Sequence, residues 1–200
     1  MGNLFTIGHS NHSLEHFKQM LVDNDVNCVV DVRSVPRSRF VPQFNEKRLS
    51  EYLKKFRISY CNMGEYFGAR QVYPKYFNEG GYLDFECFRE SDMFKTGLEN
   101  ILKALENHNM ALMCTEKNPI DCHRAIMVGR GFELAGAKVE HILSDATVIS
   151  QDTFNNQLLQ RYFSRNQQLS LFDTMKNEDE LLVEAYRKRN EEIGYRKKED

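Results

Sequence analysis

Three short segments of this chain concentrate side chains that ionise or bind anions: Gly8-His9-Ser10, Asp31-Val32-Arg33-Ser34, and Cys114-Thr115-Glu116 followed by Cys122-His123-Arg124. Each offers a different part of a reaction. His9 and His123 can exchange protons near neutral pH. Asp31 and Glu116 form a pair of carboxylates able to divide the work of hydrolysis, one activating water and the other stabilising positive charge as a bond breaks. Asp31 has a second reading, as the buried partner of Arg33 or Arg39. Cys122 is a candidate nucleophile if a helix N-terminus lowers its thiol pKa, and equally a small packing residue at a helix start. Arg33, Arg37, Arg39 and Arg124 offer planar forks to phosphate oxygens, with Ser10, Ser34, Cys114 and His123 as further groups around a bound anion.

Cys114, Cys122 and His123 are also potential zinc ligands, but a seven-residue gap followed by adjacent Cys and His is not a usual zinc spacing. No structural metal and no cofactor is therefore expected. A divalent cation on His9, Asp31 and Glu116 stays open as an alternative.

These segments can act together only if the fold brings them to one place. Residues 4–7 read as a buried strand ending at Gly8, and Ser13 opens an amphipathic helix with Leu14, Phe17, Met20 and Leu21 on one face. Residues 27–32 form a second strand. Pro36 and Pro42 then break the chain before a helix from Asn45 that turns Leu49, Tyr52, Leu53 and Phe56 inward. Residues 58–62 give a third strand. Between Gly64 and Gly81 periodicity is lost while aromatic residues gather, which reads as a functional loop. Ser91 caps a helix through Asn107, residues 110–114 form a fourth strand, Cys122–Ala135 a helix closed by Gly136, and residues 138–142 a fifth strand. The expected fold is α/β: one compact domain over residues 1–145, with a mainly parallel sheet of about five strands flanked by helices, and a helical C-terminal extension over 146–200. In such a sheet ligands bind beyond the carboxyl ends of the strands, where all three segments fall.

An apolar share of 41% in 200 residues supports a real core. No apolar run has the length of a membrane span, the N-terminus lacks a signal-like core, and the five cysteines are scattered and odd in number. A cytoplasmic protein in a reducing compartment, with no membrane partner, is expected. A net charge of −2 argues against indiscriminate nucleic-acid binding by the whole surface. Residues 33–57 differ, with eight cations against two carboxylates and a local charge of +6. Such a strip can follow a phosphate backbone. Lys54 and Lys55 fit a solvated helix face instead. Oligomeric state is not legible.

Within a polar stretch downstream of the folded pattern lies Gln168-Leu169-Ser170-Leu171-Phe172. It resembles the pentapeptide by which bacterial replication and repair proteins hold the sliding clamp, with Gln168, Leu169, Leu171 and Phe172 as the docking side chains. The alternative is that the apolar residues pack one edge of a terminal helix. With the clamp and DNA as partners, the expected function is a DNA-processing or DNA-repair enzyme, a hydrolase that removes a modified base or cleaves a phosphodiester. Asp31 or Glu116 would activate water, His9 and Arg33 would hold phosphate, and Phe40, Phe44, Tyr66 and Phe67 would stack on an extruded base. Two other classes stay open: a thiol enzyme acting through Cys114 or Cys122 on a small sulfur or phosphate compound, and a non-catalytic module for phosphate or DNA ends.

The run Thr6-Ile7-Gly8-His9-Ser10, the string Asp31 to Arg39, and the pair Cys114-x-Glu116 and Cys122-His123-Arg124 together resemble the bacterial and archaeal family called domain of unknown function 488, over about residues 4–145. The resemblance implies a compact α/β domain whose signature residues share a cleft, and it supplies no reaction. A weaker likeness is to rhodanese-type domains, through Asp31-Val32-Arg33 and Cys114. The loop after Cys114 departs from that pattern, carrying Lys117, Asn118, Pro119 and Asp121 where a glycine-bearing cradle is expected.

Overall fold

The strands at the centre of the sheet carry apolar residues on both faces, because helices cover both sides of it. The computed structural model of the chain describes residues 2–163 and 177–197. Its sheet contains β1 (Leu4–Gly8), β2 (Cys28–Asp31), β3 (Ser59–Asn62), β4 (Met110–Cys114), β5 (Val139–Ile142) and β6 (Val148–Ser150), in the spatial order β3-β2-β4-β1-β5-β6. The first five strands pair in parallel and β6 adds antiparallel to β5. The expected α/β architecture is present, with one strand more than the sequence pattern resolved. A three-residue edge strand of half-exposed side chains has too little periodicity to be read.

Alternation along the strands sorts the core into two layers. Phe5, Ile7, Val29, Ala111 and Met113 meet α1 (Leu14–Asp23) and α2 (Glu46–Lys54) through Phe17, Met20, Leu21, Leu49 and Leu53. Leu4, Val30, Met110, Leu112 and Cys114 point to the other face. There they are covered by α4 (Phe85–Arg89), α5 (Asp92–Ala104) and α6 (Arg130–Leu134), through residues such as Phe88, Phe94 and Phe132. Ser13 and Ser91 cap α1 and α5, their hydroxyls accepting from the backbone N–H groups of His16 and Phe94. The segment after Gly64 is less irregular than expected. A one-turn helix, α3 (Gly64–Phe67), packs on α5 so closely that a Cβ at Gly97 would lie 2.6 Å from the Cβ of Tyr66.

The residues beyond 145 do not stand apart from the domain. α7 (Gln151–Tyr162) and α8 (Glu178–Ile193) place Phe154, Leu158, Ala185 and Tyr186 in the same core layer as Phe94 and Phe132. A buried polar chain ties them to the sheet: Thr6 Oγ1 to His141 Nδ1 at 2.8 Å, His141 Nε2 to Gln151 Oε1 at 3.0 Å, and Gln151 Nε2 to Tyr186 Oη at 2.9 Å. The boundary expected at 145 therefore does not divide two packing units, because the helices after it roof one face of the sheet. No helix among the described residues is long and apolar enough to cross a membrane.

Candidate active site

Past their carboxyl ends the central strands stay in register for one or two residues more. The His9 N–H donates to the Cys114 carbonyl and that of Ser10 to Thr115, both at 2.9 Å. This pairing brings the three chemistry-bearing segments to one sheet edge, where they form two distinct networks.

The first is closed. Asp31 is fully buried and accepts from Arg33 Nε at 2.9 Å, from Arg33 Nη2 at 2.5 Å, from the Arg33 backbone N–H at 3.0 Å and from the Tyr60 hydroxyl at 2.5 Å. Arg33 also donates to the Phe44 carbonyl (2.9 Å) and to His9 Nε2 (3.0 Å). His9 Nδ1–H donates to the Ser10 carbonyl at 2.9 Å, which leaves Nε2 as the acceptor for Arg33. The ring stacks on Phe44 at 4.3 Å between centroids. Burial, the largest influence, lowers the His9 pKa to about 4. Of the roles expected for these residues, the buried ion pair is the one the structure realises. Asp31 has no free oxygen for water, His9 has no free donor, and the Arg33 side chain, 5% exposed, is turned to Asp31, Phe44 and His9. Tyr60 was missed by the sequence reading, although its place in the strand beside β2 puts its hydroxyl within reach of Asp31.

The second network is open. Cys114 ends β4, and Cys122 follows a 3-10 turn at Pro119–Asp121 that folds the loop back over the strand end. Its backbone is still extended (φ −136°, ψ 137°), so helical geometry begins only after it, with a π-helical stretch over Arg124–Gly129 that continues into α6. Such stretches occur frequently at functional sites. The Arg124 N–H donates to Cys122 Sγ at 3.5 Å, so sulfur occupies the helix start where phosphate was expected. Glu116 Oε2 accepts from Cys122 Sγ at 2.8 Å and from Cys114 Sγ at 3.2 Å. His123 Nδ1 lies 3.7 Å from Cys114 Sγ, while its Nε2–H donates to the Val32 carbonyl at 3.0 Å. Both thiols are buried, but Glu116 is exposed and lies across them with its carboxyl end turned inward.

Burial alone would raise the Cys122 thiol pKa. The Cys114 thiol, Arg124 and His123 outweigh it and hold Cys122 well below the usual thiol range. Cys114 is pushed up by burial and by its contact with Cys122. The Glu116 carboxyl is raised by burial of its inner end and then by the Cys122 sulfur. For His123 burial acts downward, and its contact with Cys122 reverses the sign and raises it. Of the two thiols, the cluster therefore favours ionisation of Cys122 over that of Cys114.

The other expected site residues fall into supporting or peripheral places. Arg124 is fully buried; its Nη1 donates to the Glu116 carbonyl at 2.7 Å and its Nη2 to the Lys117 carbonyl at 3.4 Å. It anchors the loop from beneath and is not placed to grip substrate. Ser34 Oγ accepts from the Arg70 N–H at 2.8 Å, and Ser10 is held in left-handed backbone (φ +45°). Both shape loops. Arg37 and Arg39 are exposed and form no ion pair among the described residues. Phe40 is 83% exposed beside Arg39, whereas Phe44 and Phe67 are fully buried and Tyr66 packs on the core. Phe44 and Phe67 cannot stack on a base, because the domain uses them as filling, and Tyr66 is half-buried against the same core. Gln168, Leu169, Leu171 and Phe172 lie outside the described residues.

The seven-residue gap does not keep the three candidate metal ligands apart in space. Sequence separation is a poor guide here, because the 3-10 turn returns the chain to the end of β4. Cys114 Sγ, Cys122 Sγ and His123 Nδ1 all lie within 4.8 Å of one another.

Comparison with curated proteins and with solved structures gave no match. The family described as domain of unknown function DUF488 matches over residues 13–130, a span that contains both the Asp31–Arg39 string and the Cys114–Arg124 cluster and begins just after Thr6–Ser10. That span is more than half of the chain, and it places the protein in the DUF488 family.

Proposed function

We propose that this chain is a hydrolase acting on nucleic acid, with Glu116 as the group that takes a proton from the attacking water. The observation that carries the reading is the position of Glu116: among the cluster's reactive groups it is the exposed one, and its carboxylate accepts from both thiols. Arg37, Arg39 and the exposed ring of Phe40 leave the same sheet edge through the loop after β2. They supply unpaired cations for phosphates and a face for a base. Gln168–Phe172 would deliver the enzyme to the sliding clamp. The reaction is base release or phosphodiester cleavage, both hydrolytic, and both need a single proton acceptor once Asp31 is committed to Arg33.

The test is hydrolysis of single-stranded and damaged oligonucleotides by the wild type and by Glu116→Gln. A loss of roughly 10²–10⁴ in rate is expected for removal of a general base. Arg37→Ala with Arg39→Ala should weaken oligonucleotide binding and flatten its salt dependence. Equal rates in wild type and Glu116→Gln would end the proposal.

A second reading is favoured by the environment of Cys122. A thiolate flanked by Arg124 and His123 is the form in which a cysteine attacks an electrophile. On that reading Cys122→Ser abolishes turnover of a small sulfur or phosphate compound, and Arg37 and Arg39 are irrelevant.

A further inference from the structure

We propose that Cys114 Sγ, Cys122 Sγ and His123 Nδ1 form a three-ligand site for a thiophilic divalent cation of the zinc class, with the fourth position open to water beside Glu116. The inference rests on the reading that this cluster is the working site, and it names the cofactor of that site.

Geometry comes first. Metal–sulfur and metal–nitrogen bonds of about 2.3 and 2.1 Å at a tetrahedral angle put the two ligand atoms about 3.6 Å apart. Cys114 Sγ and His123 Nδ1 are 3.7 Å apart, and all three atoms fall within 4.8 Å of one another. Small side-chain rotations close the remaining difference. The second observation is independent of those distances. His123 donates its Nε2–H to the Val32 carbonyl at 3.0 Å, the outer-shell bond that fixes a ligating imidazole and turns the lone pair of the other nitrogen inward. The third is burial: both sulfurs are within 3% of full burial, which suits ligands better than a nucleophile that must meet a substrate.

Charge closes the account. Two thiolates neutralise a divalent cation, and the Glu116 side chain, exposed to solvent, keeps its own charge without a buried partner. Binding places both sulfurs on the metal as thiolates and His123 Nδ1 as a free lone pair, and the protons these groups held are released to solvent. Glu116 Oε2, now 2.8 and 3.2 Å from the sulfurs, loses those donors and is left facing the open position. Three protein ligands and a water form the arrangement of catalytic rather than structural zinc sites. The ligands are held by the end of β4 and the start of the Arg124–Gly129 helical stretch, and Arg124 pins the loop between them through the Glu116 carbonyl.

The experiment uses the full chain, purified under reducing conditions, stripped with chelator and titrated with cobalt(II), then with zinc in competition. One equivalent of cobalt should bind with a thiolate-to-cobalt charge-transfer band, zinc should bleach it, and zinc uptake by the stripped protein should release protons. Cys114→Ser and Cys122→Ser should each cost more than the roughly 10- to 100-fold in affinity typical of an outer-shell partner. Circular dichroism identifies any variant that fails to fold. Folded wild type with no charge-transfer band at stoichiometric cobalt overturns the site, as does an undiminished band in the double serine variant. Cobalt uptake without hydrolysis of nucleic acid leaves the site standing and removes the proposed function. Hydrolysis by stripped protein that takes up no cobalt does the reverse.

Discussion

Two polar networks share one sheet edge and differ in how far their bonding capacity is met. In the Asp31–Arg33–His9 network each charged group is buried and answered: two guanidinium nitrogens, a backbone N–H and a phenol on the carboxylate, a carbonyl and an imidazole on the guanidinium. In the Cys114–Glu116–Cys122–His123 cluster a carboxylate accepts from two weak thiol donors and keeps one side toward solvent. A saturated network fixes backbone, because any change leaves a buried charge without its partner. An unsaturated one can exchange its partners for a proton, a metal or a substrate atom. On the proposed function, chemistry belongs to the second and the frame to the first, although the sequence presents both with equal density of ionisable residues.

The sharpest way to break that distinction is to remove one charge from the closed network. Asp31→Asn leaves Arg33, 5% exposed, as a cation without its anion. A loss of about 3–5 kcal/mol is expected from urea denaturation, enough to unfold a marginal domain. A change below about 1 kcal/mol would mean that the pair is not the frame assumed here.

Acid probes the other closed polar chain, Thr6–His141–Gln151–Tyr186, without mutation. Burial holds His141 at about 3 against its ordinary 6.5, so the folded chain keeps this imidazole neutral where the unfolded chain binds a proton. Its contribution is complete above the unfolded pKa and falls as pH drops from there toward the folded value, by about 2 kcal/mol at pH 5. Urea midpoints that decline from pH 7 to 5, with the decline reduced in His141→Gln, are the expected outcome. A flat profile would place the imidazole in contact with water.

Legibility followed the same division. The parallel sheet and the meeting of three segments at its carboxyl edge were readable, because strand periodicity, helix caps and chain order are local signals. Which network would be closed was not. Asp31 and Glu116 look alike in sequence, and only Tyr60 and the Phe44 carbonyl, from other elements, decide that Asp31 is consumed. Helix faces were readable for Leu49 and Leu53 but overreached at Phe56, which is 41% exposed. The proximity of Cys114 to Cys122 and His123 depends on a three-residue 3-10 turn, too short to carry a periodic signal. That turn is braced from outside by Arg189 of α8, whose Nε donates to the Ile120 carbonyl at 2.8 Å across 69 residues of sequence.

Gly8 joins the two networks and offers a smaller test. A Cβ there would lie 2.0 Å from the Glu116 carbonyl oxygen and 3.0 Å from Arg124 Nη2, so Gly8→Ala must push the Glu116 loop outward while leaving Asp31 and Arg33 in place. A cost of about 1–3 kcal/mol is expected, as for other overpacked sites. Faster alkylation of Cys122 should accompany it, because the cover over the thiols moves. Unchanged thiol reactivity would separate the loop from its supposed role as cover.

The smallest effect on stability is expected where the proposed chemistry is greatest. Glu116→Gln makes the same change of carboxylate to amide as Asp31→Asn, at the same sheet edge. Here the amide oxygen can still accept from the two thiols, and no buried guanidinium depends on the lost charge, since Arg124 binds the backbone carbonyl of Glu116 and not its side chain. The unfolding free energy from urea denaturation should therefore change by no more than about 0.5 kcal/mol, the range of ordinary surface substitutions. A loss comparable to that of Asp31→Asn would make Glu116 part of the frame, and the contrast between a closed and an open network would no longer hold.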